Sequence, residues 1–182
     1  MTTPSDFVSV ERKHLKAVRE KLTAAVSRKS GGDESYVPFY IAIADYMEAA
    51  FGRLHAQDTK LGELIREKAE DAIAAENQLQ DLKHRLAGSQ ACLRNLLEAR
   101  EALQRKGAAA LRQFETAGAA YSEYITTKMG HKGPISDLAA SLLTPEDWEY
   151  MAGVTDAVIQ REKDLFEGVS KTVPENLELF AG

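Results

Sequence analysis

Imidazoles and carboxylates at helical spacing are the residues of this chain best suited to chemistry. His14, His55 and His84 fall on three separate segments with helical patterning, and His131 lies in a Gly-rich break at 129–134. Helical bundles that hold a metal build the site in their interior from ligands on facing helices. Glu11-Arg12-Lys13-His14 is a Glu-x-x-His unit. Its spacing of three puts both side chains on one helix face, as in the ligand units of di-metal carboxylate bundles. Asp81-Leu82-Lys83-His84 is a poorer version of the same unit. Further along, Glu48 and His55 stand two turns apart, Asp58 lies within reach of His55, and the small Gly52 between them leaves room for a neighbouring backbone or a ligand. Imidazole–carboxylate pairs suit iron, manganese or zinc. The predicted metal set is therefore His14, Glu48, His55 and Asp58, with Glu11 at its margin. It requires His14 and His55 to face each other across two helices and the groups to converge at about 2.0–2.2 Å from one centre. The plainer reading of the same residues is a solvated Glu11–His14 pair and a half-buried His55 held by Asp58.

The elements that must position these groups are all helical. Ser5 or Asp6 can cap a first helix running to about Lys29, with Phe7, Val10, His14, Val18, Leu22 and Ala25 on one stripe. After Gly31-Gly32-Asp33 a second helix starts near Ser35, with Pro38 tolerated in its first turn. Its stripe is Tyr40, Ile43, Ala44, Met47, Phe51, Leu54, Asp58, Leu61 and Ile65, so one carboxylate interrupts an apolar face. Residues 61–128 contain no proline and favour helix almost throughout. One straight helix of that length would span about 100 Å, far beyond a compact domain. The stretch is expected to fold back at Gly88-Ser89, with Gly88 as a C-terminal cap, or at Lys106-Gly107. Thr144-Pro145-Glu146-Asp147 carries the signature of a capping box with proline at the first helical position. A last helix from there to about Val169 is expected to bury Trp148, Met151, Val154, Val158 and Leu165, with a loose tail from about 174. The fold class predicted is all-α: an antiparallel four- to five-helix bundle with a long helical hairpin, forming a single domain over 1–182.

A resemblance adds to this reading. Val10-Glu11-Arg12-Lys13-His14-Leu15, followed by Val18 and Leu22, resembles the first helix of hemerythrin-like cation-binding domains, and His55-Ala56-Gln57-Asp58-Thr59-Lys60-Leu61 resembles their histidine-plus-carboxylate segment. The resemblance covers roughly the first 65 residues. It implies a non-haem metal, iron or another divalent first-row ion, used for oxygen or redox sensing, storage or carriage. The family's carboxylate lies four residues after its histidine, where this chain has Thr59, and Asp58 comes one position early. The family's later helices carry further histidines, whereas here only His84 is available, and Glu162 would have to replace a missing ligand.

Composition narrows the alternatives. The 182 residues are 44% hydrophobic and 28% charged, with a net charge of −5, so no overall basic field draws in nucleic acid. The basic cluster Arg12, Lys13, Lys16, Arg19 and Lys21 is diluted by Glu11 and Glu20 and reads as a solvated face. Apolar runs are too short for a membrane span, the N-terminus carries no secretory signal, and the single Cys92 fits a reducing compartment as a core thiol. A cytoplasmic protein is predicted. There is no phosphate-binding Gly loop, Ser–His–Asp arrangement or zinc-type cysteine pair. An acid–base enzyme is therefore the least favoured class. The rival to the metal bundle is a metal-free helical scaffold or interaction protein. It would pair through residues 79–103 with a second copy, as a homodimer, or with a helical protein partner.

Overall fold

The computed structural model describes residues 4–129, 134–153 and 155–178. His131 and Val154 lie outside the described residues, as does the side chain of Phe7. Among the described residues every regular element is a helix: α1 (Pro4–Arg28), α2 (Tyr36–Lys68), α3 (Ala72–Lys106), α4 (Leu111–Tyr124), α5 (Pro134–Leu142), α6 (Pro145–Ala152), α7 (Asp156–Lys171) and the short α8 (Glu175–Glu178). A 3₁₀ turn (Gly107–Ala110) leads into α4, and a π-helical turn (Ile125–Met129) leaves it. The predicted all-α bundle with a long helical hairpin is what forms.

α1, α2, α3 and α4 run alternately up and down. Glu11 pairs with Arg53 across α1 and α2, Arg100 with Asp45 and Glu48 across α2 and α3, and Tyr124 with Arg85 across α3 and α4. α7 runs parallel to α1 and antiparallel to α2, on the outer side of that pair. α2 is thus central. Its first half is buried on nearly every side: Tyr36, Phe39, Tyr40, Ile43, Ala44, Tyr46, Met47, Ala50 and Phe51 join Val18, Leu22, Leu96, Leu103, Phe114 and Tyr121 in the main core. Within this core Tyr40 is stacked on Phe114, with ring centroids 4.6 Å apart. Cys92 packs, partly buried, against the same core.

α2 and α3, each about 50 Å long, continue past the bundle as a hairpin. Its tip is covered by α5, where Ile65, Ala75, Leu79 and Leu82 meet Ile135 and Ala139. α3 spends its apolar face on α2, α4 and α5 of its own chain.

Several expectations about the breaks need correcting. The chain reverses after Lys68, where Asp71 caps α3 by accepting hydrogen bonds from the Ile73 and Ala74 amides; the reversal at Gly107 is the second of the two expected breaks. Gly88 is no cap. It lies inside α3, and a Cβ there would overlap the Tyr124 ring, so its small size serves a close helix contact. The Thr144–Asp147 capping box and Pro145 start α6 as predicted, but the helix stops at Gly153 (φ 22°), and α7 restarts behind the Thr155 cap. Trp148 and Val158 therefore stand 40% and 38% exposed instead of filling the core. The tail is held as far as it is described: Arg28 Nη1 donates to the Asn176 carbonyl at 2.8 Å, Tyr36 Oη donates to Asn176 Oδ1 at 3.0 Å, and Leu177 is buried. No described helix is long and apolar enough to cross a membrane.

Candidate functional site

The polar centre of the bundle is built on Arg53. From Tyr36 to Gly52, α2 carries no Lys or Arg, so Arg53 is the first cation of a helix whose surroundings are otherwise apolar. Antiparallel neighbours joined by a tight turn pair residues equidistant from it. Glu11 and Arg53 are each 21 positions from Gly32 (32 minus 11, 53 minus 32), and they meet. Arg53 Nη1 lies 2.8 Å from Glu11 Oε2 of α1. On its other side the guanidinium grips Glu162 of α7 with two bonds, Nε to Oε1 at 2.7 Å and Nη2 to Oε2 at 3.2 Å. Nη1 also donates to Gln57 Oε1 at 3.3 Å, and Gln57 Nε2 donates to the Ala152 carbonyl at the end of α6. Glu11 and Glu162 are 7% and 6% exposed, so three helices meet at charges withdrawn from water. A bidentate Arg–carboxylate pair is among the stronger polar contacts available, and a buried charge must be paired to persist.

One guanidinium between two carboxylates leaves an excess negative charge when both are ionised. Burial pushes the Glu11 carboxyl up to about 7; Arg53 pulls it down, and the like-charged Glu162 pushes it up further. Burial also holds the neighbouring Tyr46 phenol well above its ordinary range, so it stays neutral. His14, one turn beyond Glu11, lies flat on the Phe166 ring of α7, centroids 3.9 Å apart, and burial lowers its pKa toward the neutral form. Tyr46 packs on the same Phe166 ring from α2.

The remaining residues of the predicted metal set go elsewhere. His14 and His55 do not face each other. His55 points to α3, with Nε2 3.0 Å from Ser89 Oγ and Nδ1 2.7 Å from Gln90 Nε2. An amide nitrogen only donates, so Nδ1 is the acceptor and Nε2–H the donor. Both ring nitrogens are thereby used, and burial favours this neutral form. Glu48 accepts from Arg100 Nη1 at 2.6 Å, beside Asp45 at 2.7 Å. Asp58 is half-buried on α2, three residues past His55. Gly52 admits no neighbour, since a Cβ there would meet open space. His84 is exposed. Among the described residues no group of three His, Cys, Asp or Glu is placed to hold one metal ion.

Glu11 and Glu162 are each visible as outlying candidates in the sequence; Arg53, which joins them, does not stand out there. Two signals point to it: the equidistance from Gly32, and the cation-free run before it. Val18, Leu22 and Ala25 are buried as the stripe of α1 predicts, and α1 departs from it at Val10. Glu11 turns inward and Val10 is 46% exposed, because Arg53 and α7 offer a partner for a carboxylate at that level.

A cleft of about 730 Å³ opens at the opposite end, between the α1–α2 turn and the start of α4. At its edge Glu115 accepts from the Ser30 amide at 2.6 Å and from Tyr40 Oη at 3.4 Å, a pairing that ties the turn to α4. Compared with protein-family models, curated proteins and solved structures, the chain matches none of them.

Proposed function

We propose that this protein is a metal-free helical interaction module, in which Arg53 takes the central position that a metal ion would hold in a hemerythrin-like bundle. The observation that carries this reading is the guanidinium seated between the buried carboxylates of Glu11 and Glu162. The two carboxylates best placed to ligate an ion from facing helices are thereby committed to an internal cation. The candidate ligands His55 and Glu48 are committed to side chains of α3. The centre is suited to locking α1, α2 and α7 together rather than to turning over a substrate, since it offers no nucleophile and its carboxyl pair is sealed from solvent. Function then falls to the surface that this scaffold holds rigid. Much of the apolar stripe of residues 79–103 packs within the chain itself. Cys92 as a lone, partly buried thiol fits a cytoplasmic location.

Elemental analysis of protein grown in metal-supplemented medium and purified without chelator tests this reading. Metal well below stoichiometry is expected. Stoichiometric iron, manganese or zinc, lost in both Glu11→Gln and Glu162→Gln, would replace it with the metal-bundle reading. The converse experiment is sharper. Arg53→Ser removes the internal cation and leaves two carboxylates with His14 nearby, so this variant should gain affinity for Mn²⁺ or Zn²⁺ that the wild type lacks.

A further inference from the structure

The cleft between the α1–α2 turn and the start of α4 stays open although core side chains reach it. Its volume of about 730 Å³ falls within the range of small-molecule sites, roughly 300–1,000 Å³. Val26 and Leu111, both buried in the main core, line it together with Ala108, Ala109 and Ala119. Gly31 and Gly32 line it from the turn, and a Cβ on either would meet open space. A lining that is mostly apolar and small suits the body of a small molecule.

Two cations stand on the same lining. Lys29 and Arg112 are both exposed, and neither side chain has a hydrogen bond or ion pair among the described residues. Glu115, the one carboxylate on the lining, is already bonded, its Oε1 accepting from the Ser30 amide and from Tyr40 Oη. Two cations and one carboxylate give the lining a formal charge of +1, on a chain whose net charge is −5. Lys29 carries a further mark. Among the described residues it is the one non-glycine with a left-handed backbone, at φ 61°. It closes α1 there, its amide donating to the Ala25 carbonyl at 3.0 Å, a position that glycine takes most readily. An L-residue in this conformation brings its Cβ against the following carbonyl oxygen. Arg28 already supplies the cation that favours a helix C-terminus. Backbone geometry thus favours glycine, and what lysine adds is a cationic side chain at the cleft.

We infer that this cleft binds a small amphiphilic organic anion, with its apolar body against Val26, Leu111 and the alanines and its carboxylate or phosphate group paired with Lys29 and Arg112. The planar fork of arginine matches either head group. The cleft lies at the end of the bundle away from Arg53, so this ligand site goes beyond the interaction-module reading and does not depend on it.

The test titrates the full chain with anilinonaphthalene sulfonate, an apolar body bearing an anion, and with phenylnaphthylamine, the same body without charge. The sulfonate should bind saturably at one site, more tightly than the neutral dye. Octanoate and phenyl phosphate should compete with it, the better competitor identifying the head group, and inorganic phosphate alone should not. Lys29→Gly should weaken the sulfonate without lowering the urea midpoint, and Lys29→Gln should weaken it equally. Adding Arg112→Gln to either should bring the loss to at least about tenfold, as expected for charge-assisted hydrogen bonds. Ala119→Trp, at an exposed position on the lining, should fill the cleft and abolish binding of both dyes. Equal affinity for the two dyes, or sulfonate binding unchanged in Lys29→Gln/Arg112→Gln, would overturn the inference. So would binding that survives Ala119→Trp, which would place the dye elsewhere on the surface. Binding lost in Lys29→Gly but kept in Lys29→Gln would assign the effect to the backbone and not to the charge, and would also overturn it. Displacement by inorganic phosphate as strong as by octanoate, or by neither organic competitor, would do the same.

Discussion

Glu11 and Glu162 share one guanidinium, so ionising both leaves the buried centre with one negative charge too many. The sign of the resulting pH dependence follows from the folded pKa of Glu11, raised by burial from an ordinary 4.5 to about 7. Its contribution to stability is fully present below the unfolded value and is lost as pH rises through the folded one. Between those limits the loss amounts to roughly 2–3 kcal/mol, each tenfold difference in proton affinity being worth about 1.36 kcal/mol. Glu11→Gln stays neutral throughout. Urea unfolding at pH 4.5 and pH 8 should therefore show wild type losing that much more stability than Glu11→Gln on going to the higher pH. Equal pH slopes for the two proteins would mean that Glu11 is not held protonated by its surroundings. Arg53→Met is the more damaging change, since it leaves two buried carboxylates without their cation. A loss of about 3–5 kcal/mol is expected for breaking a buried pair in this way. That loss should shrink at acid pH, where the carboxyls take up protons.

At the scale of elements, what was legible in the sequence was what is encoded locally. The Thr144–Asp147 box and the Gly31–Gly32 turn have chemistry that acts within a few residues, and both appear where the spacing put them. The reversal after Lys68 rests on the cap of a single residue, Asp71, inside a run of Glu, Lys and Ala, with neither glycine nor proline to mark it. Asp71→Ala should cost about 1 kcal/mol as a lost N-cap, measured by chemical unfolding. Gly88 misled because glycine has two uses, a backbone conformation and a small volume, and only tertiary structure tells them apart. Here the volume matters: the Tyr124 ring lies over Gly88, and its hydroxyl donates to the Arg85 carbonyl at 3.0 Å. Gly88→Ala should destabilise by about 1–3 kcal/mol through overpacking, although alanine favours helix by roughly 1 kcal/mol. In a Tyr124→Ala background the same change should stabilise instead. Stabilisation in the wild-type background would contradict the close approach. The residue of α1 that faces inward at the level of Arg53 is the other feature the sequence leaves open. One residue turns a helix by about 100°, so whether Val10 or Glu11 faces inward depends on what α2 and α7 present, not on α1 alone.

Across the whole molecule the chain spends most of its apolar surface on itself, and the two exposed large aromatics among the described residues, Trp148 and Tyr150, are both on α6. Arg53 closes the centre, and Gln57 ties it to the end of α6 by bonding both Arg53 and the Ala152 carbonyl. In the proposed reading an internal guanidinium, not an ion, holds α1, α2 and α7 together. A ligand that binds only the folded state at a hundred times its Kd adds about 2.7 kcal/mol to stability, so a structural metal cannot be removed silently. The most direct measurement is urea unfolding of the wild type at neutral pH, with chelator and with added Fe²⁺, Mn²⁺ or Zn²⁺. The predicted result is one unfolding curve under all these conditions. A midpoint that falls on chelation and is restored by one of the metals would contradict the account.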